Sequence, residues 1–167
     1  PGFFFRSRRH ARALTMLEYG IENRSDICVV TGEIGSGKTM LVQRLIRNLR
    51  RNVTAGVVSS THESFGELLD WVLRAFRISV PGDVPWEKYA AFEKFLLAQN
   101  RRRRRSILIV DEAQNLGAEQ LEAVRVLSNV NAQHGELMLQ LVLVGQPELR
   151  EILQRPELRQ LAQRVAV

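Results

Sequence analysis

A three-layer α/β/α sandwich around a mostly parallel sheet is the fold class this sequence predicts, from three observations. Four short runs rich in Val and Ile recur along the chain, and two of them lack the alternation of a half-exposed strand. Helical patterns separate these runs. A glycine-rich loop joins the first run to the helical stretch behind it. Near-continuous apolar strands are what a parallel sheet covered on both faces requires, and strands alternating with helices build such a sheet from βαβ units.

In chain order, Arg8 to Ile21 reads as a helix and Ile27 to Thr31 as the first buried strand. Lys38 to Arg50 follows as a helix and Val53 to Ser59 as a strand. Ser64 to Phe76 and Trp86 to Gln99 carry helical spacing; between them, Pro81-Gly82-Asp83-Val84-Pro85 is a loop whose two prolines cannot continue a helix. Ile107 to Val110 is the third strand, Ala118 to Val130 a helix, and Leu139 to Val144 the fourth strand. Pro156 to Val167 reads as helical or strand-like. Trp71 and Trp86 are expected in the core, because a tryptophan buries so much apolar area, and Lys88 and Lys94 on solvated helix faces.

A chain of 167 residues suits one domain spanning 1–167, with a core large enough to need no disulfide. It ends in amphipathic sequence without a polar tail, as a piece of a longer protein would. The single cysteine, Cys28, sits in an apolar run and is expected to be a buried, inert thiol. His62 and His134 have no Cys, His or Asp partner at metal spacing. The net charge of +6 is concentrated in Arg6, Arg8, Arg9 and Arg12 and in the unbroken run Arg101 to Arg105. Such a run is either a contact for nucleic acid or acidic lipid, or a solvated loop between a helix and a strand. No stretch approaches the roughly 18 apolar residues of a membrane span, and Phe3-Phe4-Phe5 is too short for a signal-peptide core. A cytosolic chain, or the cytosolic portion of something larger, is the expectation.

The chemistry is concentrated in Gly32-Glu33-Ile34-Gly35-Ser36-Gly37-Lys38-Thr39, which meets the phosphate-loop pattern G-x-x-x-x-G-K-[ST] at every fixed position. The context is the one the mechanism demands: an apolar strand runs into the loop, and a helix continues through Met40. The glycines let the backbone curl so that several N–H groups face one point, and the positive end of the helix dipole adds to that field. Lys38 would reach the β- and γ-phosphates of a nucleotide, and the Thr39 hydroxyl would take one magnesium position.

A second motif completes the apparatus. Ile107-Leu108-Ile109-Val110-Asp111-Glu112 is an apolar strand ending in two acids. A buried strand places Asp111 at the carboxyl edge of the sheet, where open α/β sheets bind ligands. Asp111 would hold magnesium, through water, while Glu112 polarises the attacking water. Alone, the pair would sooner read as a cap for the next helix; beside the phosphate loop the chemical reading takes precedence. Gln146, after the fourth strand, either senses the terminal phosphate or simply enters a helix before Pro147. The first reading requires the fourth strand to pair between the first and third.

At Asp111-Glu112-Ala113-Gln114-Asn115 the sequence resembles the AAA+ ATPases of the ExeA/GspA (general secretion pathway protein A) type, a group with relatives associated with exopolysaccharide and exosortase gene clusters. Phe3-Phe4-Phe5 with Arg8 to His10, Thr31 to Thr39, Asp111 to Leu116, Leu143 to Leu149 and Glu157 to Val165 carry the likeness. It implies a magnesium-dependent ATPase core that assembles into a homo-oligomeric ring, acts on secretion or export machinery, and sits in the cytoplasm or on the cytoplasmic side of an inner-membrane protein. It also implies an arginine finger reaching the neighbour's nucleotide, with Arg164 the first candidate and Arg159 the second. His10 would lie near the adenine or on a helix surface. The small helical lid that follows such a core does not appear in these residues.

Similar Asp-Glu-Ala-Gln segments occur in transposition ATPases of the TniB/TnsC type, so a regulator that loads on duplex DNA is the alternative, and the arginine run agrees with it. A third reading is a scaffold that binds ATP and barely hydrolyses it. A GTPase is disfavoured because no Asn-Lys-x-Asp segment is present.

Overall fold

The computed structural model describes residues 8–59, 67–163 and 165–166. Phe3-Phe4-Phe5, His62 and Arg164 lie outside them. The elements run α1 (Arg8–Glu22), β1 (Ile27–Thr31), α2 (Lys38–Asn48), β2 (Val53–Ser59), α3 (Leu68–Ala75), α4 (Pro85–Arg101), β3 (Arg105–Asp111), α5 (Ala118–Ser128), α6 (Val130–His134), β4 (Leu139–Gly145), α7 (Glu148–Leu153), α8 (Arg159–Ala162) and a two-residue β5 (Val165–Ala166). The strands lie in the order β2-β3-β4-β1-β5, and every pairing is parallel. The expected sheet is therefore present, with β4 between β1 and β3 as a sensing role for Gln146 requires.

Alternation along the central strands divides the interior into two cores. Leu108 and Val110 of β3 and Leu139, Leu141 and Leu143 of β4 face one way and pack with Trp71, Val72, Phe92, Leu121 and Leu149 from α3, α4, α5 and α7. Ile107, Ile109, Val142 and Val144 face the other way and pack with Leu14 and Leu17 of α1 and Leu41 and Leu45 of α2. These strand residues are essentially unexposed. Each contributes roughly 1.5–3 kcal/mol of burial free energy, which anchors the strand ends that carry the site. Cys28 lies in the second core, where burial pushes its thiol above the usual range and leaves it unreactive.

Four expectations need correction. Trp86 is 70% exposed, standing at the start of α4 just after Pro85, whereas Trp71 is buried. Lys88, expected in solvent, is 7% exposed; its ammonium bonds Asp70 of α3 at 2.7 Å and also Asp83. Paired on both sides, the charge is tolerated in that position. The helix expected from Ala118 to Val130 ends at Ser128, and α6 continues separately from Val130. Asn131 ties α6 to the start of β4: its amide donates to the Leu139 carbonyl at 2.7 Å and accepts from the N–H groups of Met138 and Leu139.

The arginine run, fourth, is not uniform. Arg101 to Arg104 are exposed, but Arg105 opens β3 and turns inward. Its guanidinium donates to the Ile21 carbonyl and, at 2.9 Å, to Oε1 of Gln140, whose own amide donates to Ile21 and Ser25. Arg105 thus fastens α1 to the sheet and is not a member of the solvent-facing cluster. Among the described residues no helix is long and apolar enough to cross a membrane.

Candidate functional site

Because the sheet is parallel, the carboxyl ends of β1, β4 and β3 emerge side by side. Thr31 of β1 is in register with Gly145 of β4, and Val110 of β3 with Leu143. The backbone pairing continues one step past β1, with the Gly32 N–H donating to the Gly145 carbonyl at 3.0 Å. The glycine-rich loop, the two acids and Gln146 are brought to one edge in this way.

The loop turns sharply. Ser36 N–H closes onto the Glu33 carbonyl at 3.0 Å, and Leu41 N–H onto the Gly37 carbonyl at 3.0 Å as α2 begins. Gly35 and Gly37 have φ of 77° and 86°, a left-handed conformation in which glycine has no steric penalty. A Cβ on Gly37 would also lie 2.7 Å from the imidazole of His10, so the α1 helix packs directly on the loop. Glu33, Ile34, Ser36, Thr39 and Met40 are exposed around it. Lys38 is only 8% exposed; its ammonium donates to the carbonyls of Gly32 at 2.6 Å and Glu33 at 2.9 Å, which holds a cation at the loop's mouth.

Asp111 and Glu112 are half-buried at the end of β3. Burial pushes the Asp111 carboxyl above the usual carboxylate range, and the neighbouring Glu112 charge adds to this; the Glu112 backbone N–H and the Lys38 ammonium oppose it. A hydroxyl at Thr39 and a single carboxylate at Asp111 fit a magnesium ion that takes its remaining ligands from phosphate and water. Among the described residues no three His, Cys, Asp or Glu side chains gather into an all-protein metal cage.

Since the folded chain holds the Asp111 proton more tightly than the unfolded chain does, this group favours folding most in acid. That contribution is lost as pH rises through the raised folded value. Two consequences are expected. Asp111→Asn raises the melting temperature of the nucleotide-free chain at neutral pH, by about 2–4 °C for each kcal/mol gained. If Asp111 takes a magnesium ion beside a bound nucleotide, the same variant is expected to lose the magnesium dependence of nucleotide binding, and in the parent that dependence is expected to weaken in acid as Asp111 is protonated. Melting curves and binding isotherms across pH check both.

Glu112 takes an unusual backbone conformation, φ 54° and ψ 41°, which costs a non-glycine residue about 1–3 kcal/mol. Local bonds hold it: Glu112 N–H donates to Asp111 Oδ1 at 2.9 Å, and Asn115 N–H to the Glu112 carbonyl at 3.0 Å. Its carboxylate accepts a bond from the Gln114 amide at 2.6 Å. The same amide, through its oxygen, accepts the backbone N–H of Gln146 at 3.0 Å. Gln114 stands inside the Asp-Glu-Ala-Gln segment, yet spacing alone gives it no task; only the fold brings it against the end of β4. Arg159 is exposed at the start of α8.

Comparison with known proteins shows the family and the fold. A family model described as "AAA domain" matches residues 21–153. Over 166 residues the chain is 34% identical to the general secretion pathway protein A of Aeromonas hydrophila, a match that covers 99% of this chain and 30% of that protein. Cdc6p from Pyrobaculum aerophilum superposes with a TM-score of 0.76 at 19% identity, over 99% of this chain and 46% of that one. The ORC2 protein of Aeropyrum pernix, in a structure of ADPNP and ADP complexes, gives 0.71 at 18% identity, over 99% of this chain and 48% of that one. Drosophila ORC bound to AT-rich DNA and Cdc6 gives 0.56 at 16% identity, over 97% of this chain and 58% of that one. At these identities the solved structures speak to the fold.

Proposed function

Because the chain belongs to the AAA domain family, we propose that it binds ATP with magnesium and hydrolyses it, using the energy to change the conformation of a secretion or envelope-export assembly on the cytoplasmic side of a membrane. One observation carries the reading: the loop with Lys38, the Asp111-Glu112 pair and Gln146 converge at the carboxyl ends of three adjacent parallel strands. The relation to general secretion pathway protein A supports the process, and it reaches this chain as a proposal since the match spans 30% of that protein.

In this mechanism the N–H groups of Gly32 to Thr39 and the Lys38 ammonium take the β- and γ-phosphates. Thr39 and Asp111 hold the magnesium, which neutralises phosphate charge when bound. Glu112 orients and deprotonates the attacking water, and Gln146 contacts the terminal phosphate. Most of the rate comes from positioning and charge stabilisation. A neighbouring copy supplies an arginine, Arg164 or Arg159, to the developing charge, an addition worth about 10³–10⁵ in rate where such fingers operate.

The test is the ATP hydrolysis rate per molecule as protein concentration rises. Rates that climb with concentration and fall in Arg164→Ala or Arg159→Ala support sites completed by a neighbour. A rate that is flat and near zero despite measurable ATP binding removes hydrolysis from this chain's own repertoire.

A second reading, a duplex-DNA-dependent ATPase, is favoured by one feature. Arg24, Arg50, Arg51 and Arg101 to Arg104 are all exposed in the segments leading into β1, β2 and β3. This end of the sheet is opposite the phosphate loop. Replacing Arg101 to Arg104 with serine, and leaving the inward Arg105 in place, should then weaken DNA binding and flatten its dependence on salt, since fewer counterions are released. Duplex binding that is absent in the parent, or unaltered in the variant, disposes of this reading.

A further inference from the structure

We propose that Gln114 is a positioning residue that couples the end of β4 to Glu112, so that the peptide at Gln146 and the carboxylate at Glu112 move as one unit. The proposal rests on the reading above, in which Gln146 meets the terminal phosphate and Glu112 directs the water.

The orientation of the Gln114 amide is dictated by its partners. A backbone N–H can only donate, so the amide oxygen must face Gln146, where the distance is 3.0 Å. The amide nitrogen is thereby turned toward Glu112, and its N–H meets carboxylate Oε2 at 2.6 Å. One planar group spans the two, and rotating it to satisfy one partner breaks the bond to the other. Its freedom is limited further by packing. A Cβ on Gly145 would lie 2.6 Å from the Gln114 oxygen and 3.3 Å from its backbone nitrogen, so β4 ends in glycine where this side chain crosses it. The turn that carries Gln114, Ala113–Asn115, is anchored by Ala113, which is 0% exposed, and begins at the left-handed Glu112.

A shift of the Gln146 peptide therefore has a short mechanical route to the carboxylate. Nucleotide with a terminal phosphate draws on Gln146, the amide follows, and Glu112 changes its aim; nucleotide without that phosphate leaves the three groups as they stand. ATP and ADP would thus set different positions of Glu112 through a side chain that touches neither.

Two substitutions separate coupling from simple support. Gln114→Glu keeps the length and the oxygen facing Gln146, but presents a carboxylate without a donor to Glu112. Gln114→Met keeps approximate length and loses both bonds. The expected results are a fall of about tenfold or more in kcat for Gln114→Glu, with KM and ADP affinity within about twofold of the parent. Hydrogen exchange at the Gln146 amide stays protected in Gln114→Glu and quickens in Gln114→Met. Adding Glu112→Gln to Gln114→Glu supplies an amide donor at position 112 for the introduced carboxylate, so the thermal stability lost in Gln114→Glu returns while turnover does not.

Gln114→Glu turning over at the parental rate while Glu112→Gln is inactive overturns the coupling and leaves Glu112 in its role. Glu112→Gln turning over at the parental rate overturns the role of Glu112, and the coupling with it. If both Gln114 variants instead lose ATP and ADP affinity in parallel with thermal stability, Gln114 is only a structural support.

Discussion

Lys38→Ala is expected to weaken ATP binding about 100-fold or more. Its ammonium sits at the mouth of the loop, 8% exposed, within 2.6 Å of the Gly32 carbonyl and 2.9 Å of the Glu33 carbonyl. Charge-assisted hydrogen bonds contribute about 1.5–3 kcal/mol each, and 1.4 kcal/mol is a factor of ten in affinity. Losing the charged contacts to two phosphates therefore accounts for the expected drop. Alanine also releases two carbonyls, so the loop could lose shape as well as charge. Lys38→Met, which keeps the aliphatic stem, separates these effects: it should bind as poorly as alanine with a melting temperature nearer the parent's. Isothermal titration with ATP checks this, and parental affinity in either variant removes the phosphate loop from the account.

Glu112→Gln is the second large effect, and it should divide binding from chemistry. The substituted amide still offers an oxygen to the Gln114 N–H that now bonds the carboxylate at 2.6 Å, so the strained turn after β3 should persist. ATP affinity is then expected within about threefold of the parent. Turnover should fall by about 10²–10⁴, the span attributed to a positioned general base. Single-turnover hydrolysis with saturating ATP is the measurement. A variant that binds ATP and hydrolyses it at the parental rate would show that another group activates the water.

The fold was legible because burial on both faces of the sheet leaves its mark on composition. Ile107 to Val110 and Leu139 to Val144 are apolar at nearly every position, which no half-exposed strand would tolerate, and the structure buries them between two helical layers. The places of Lys38 at the start of α2 and of Asp111 at the end of β3 were legible because each follows an apolar strand at fixed spacing; their roles toward a nucleotide belong to the proposal. Sequence was silent where a residue's environment depends on distant partners. Lys88 looks solvated on its own helix, yet Asp70 and Asp83 come from outside that helix to pair with it. Arg105 looks like the last of five equivalent arginines, but the Gln140 and Ile21 that receive it lie 35 and 84 positions away. Gln114 belongs with these, since its bond to Gln146 crosses 32 positions.

In the proposed mechanism nucleotide phosphates lie in the loop from Gly32 to Thr39, with Asp111, Glu112 and Gln146 around the terminal one. Mapping backbone amide resonances during titration with a non-hydrolysable ATP analogue and magnesium tests it most directly. The largest shifts are expected on Gly32 to Met40, with further shifts at Asp111, Glu112 and Gln146, and ADP is expected to reproduce the first group but not the second. Shifts confined to other surfaces, or none at saturating nucleotide, would contradict it.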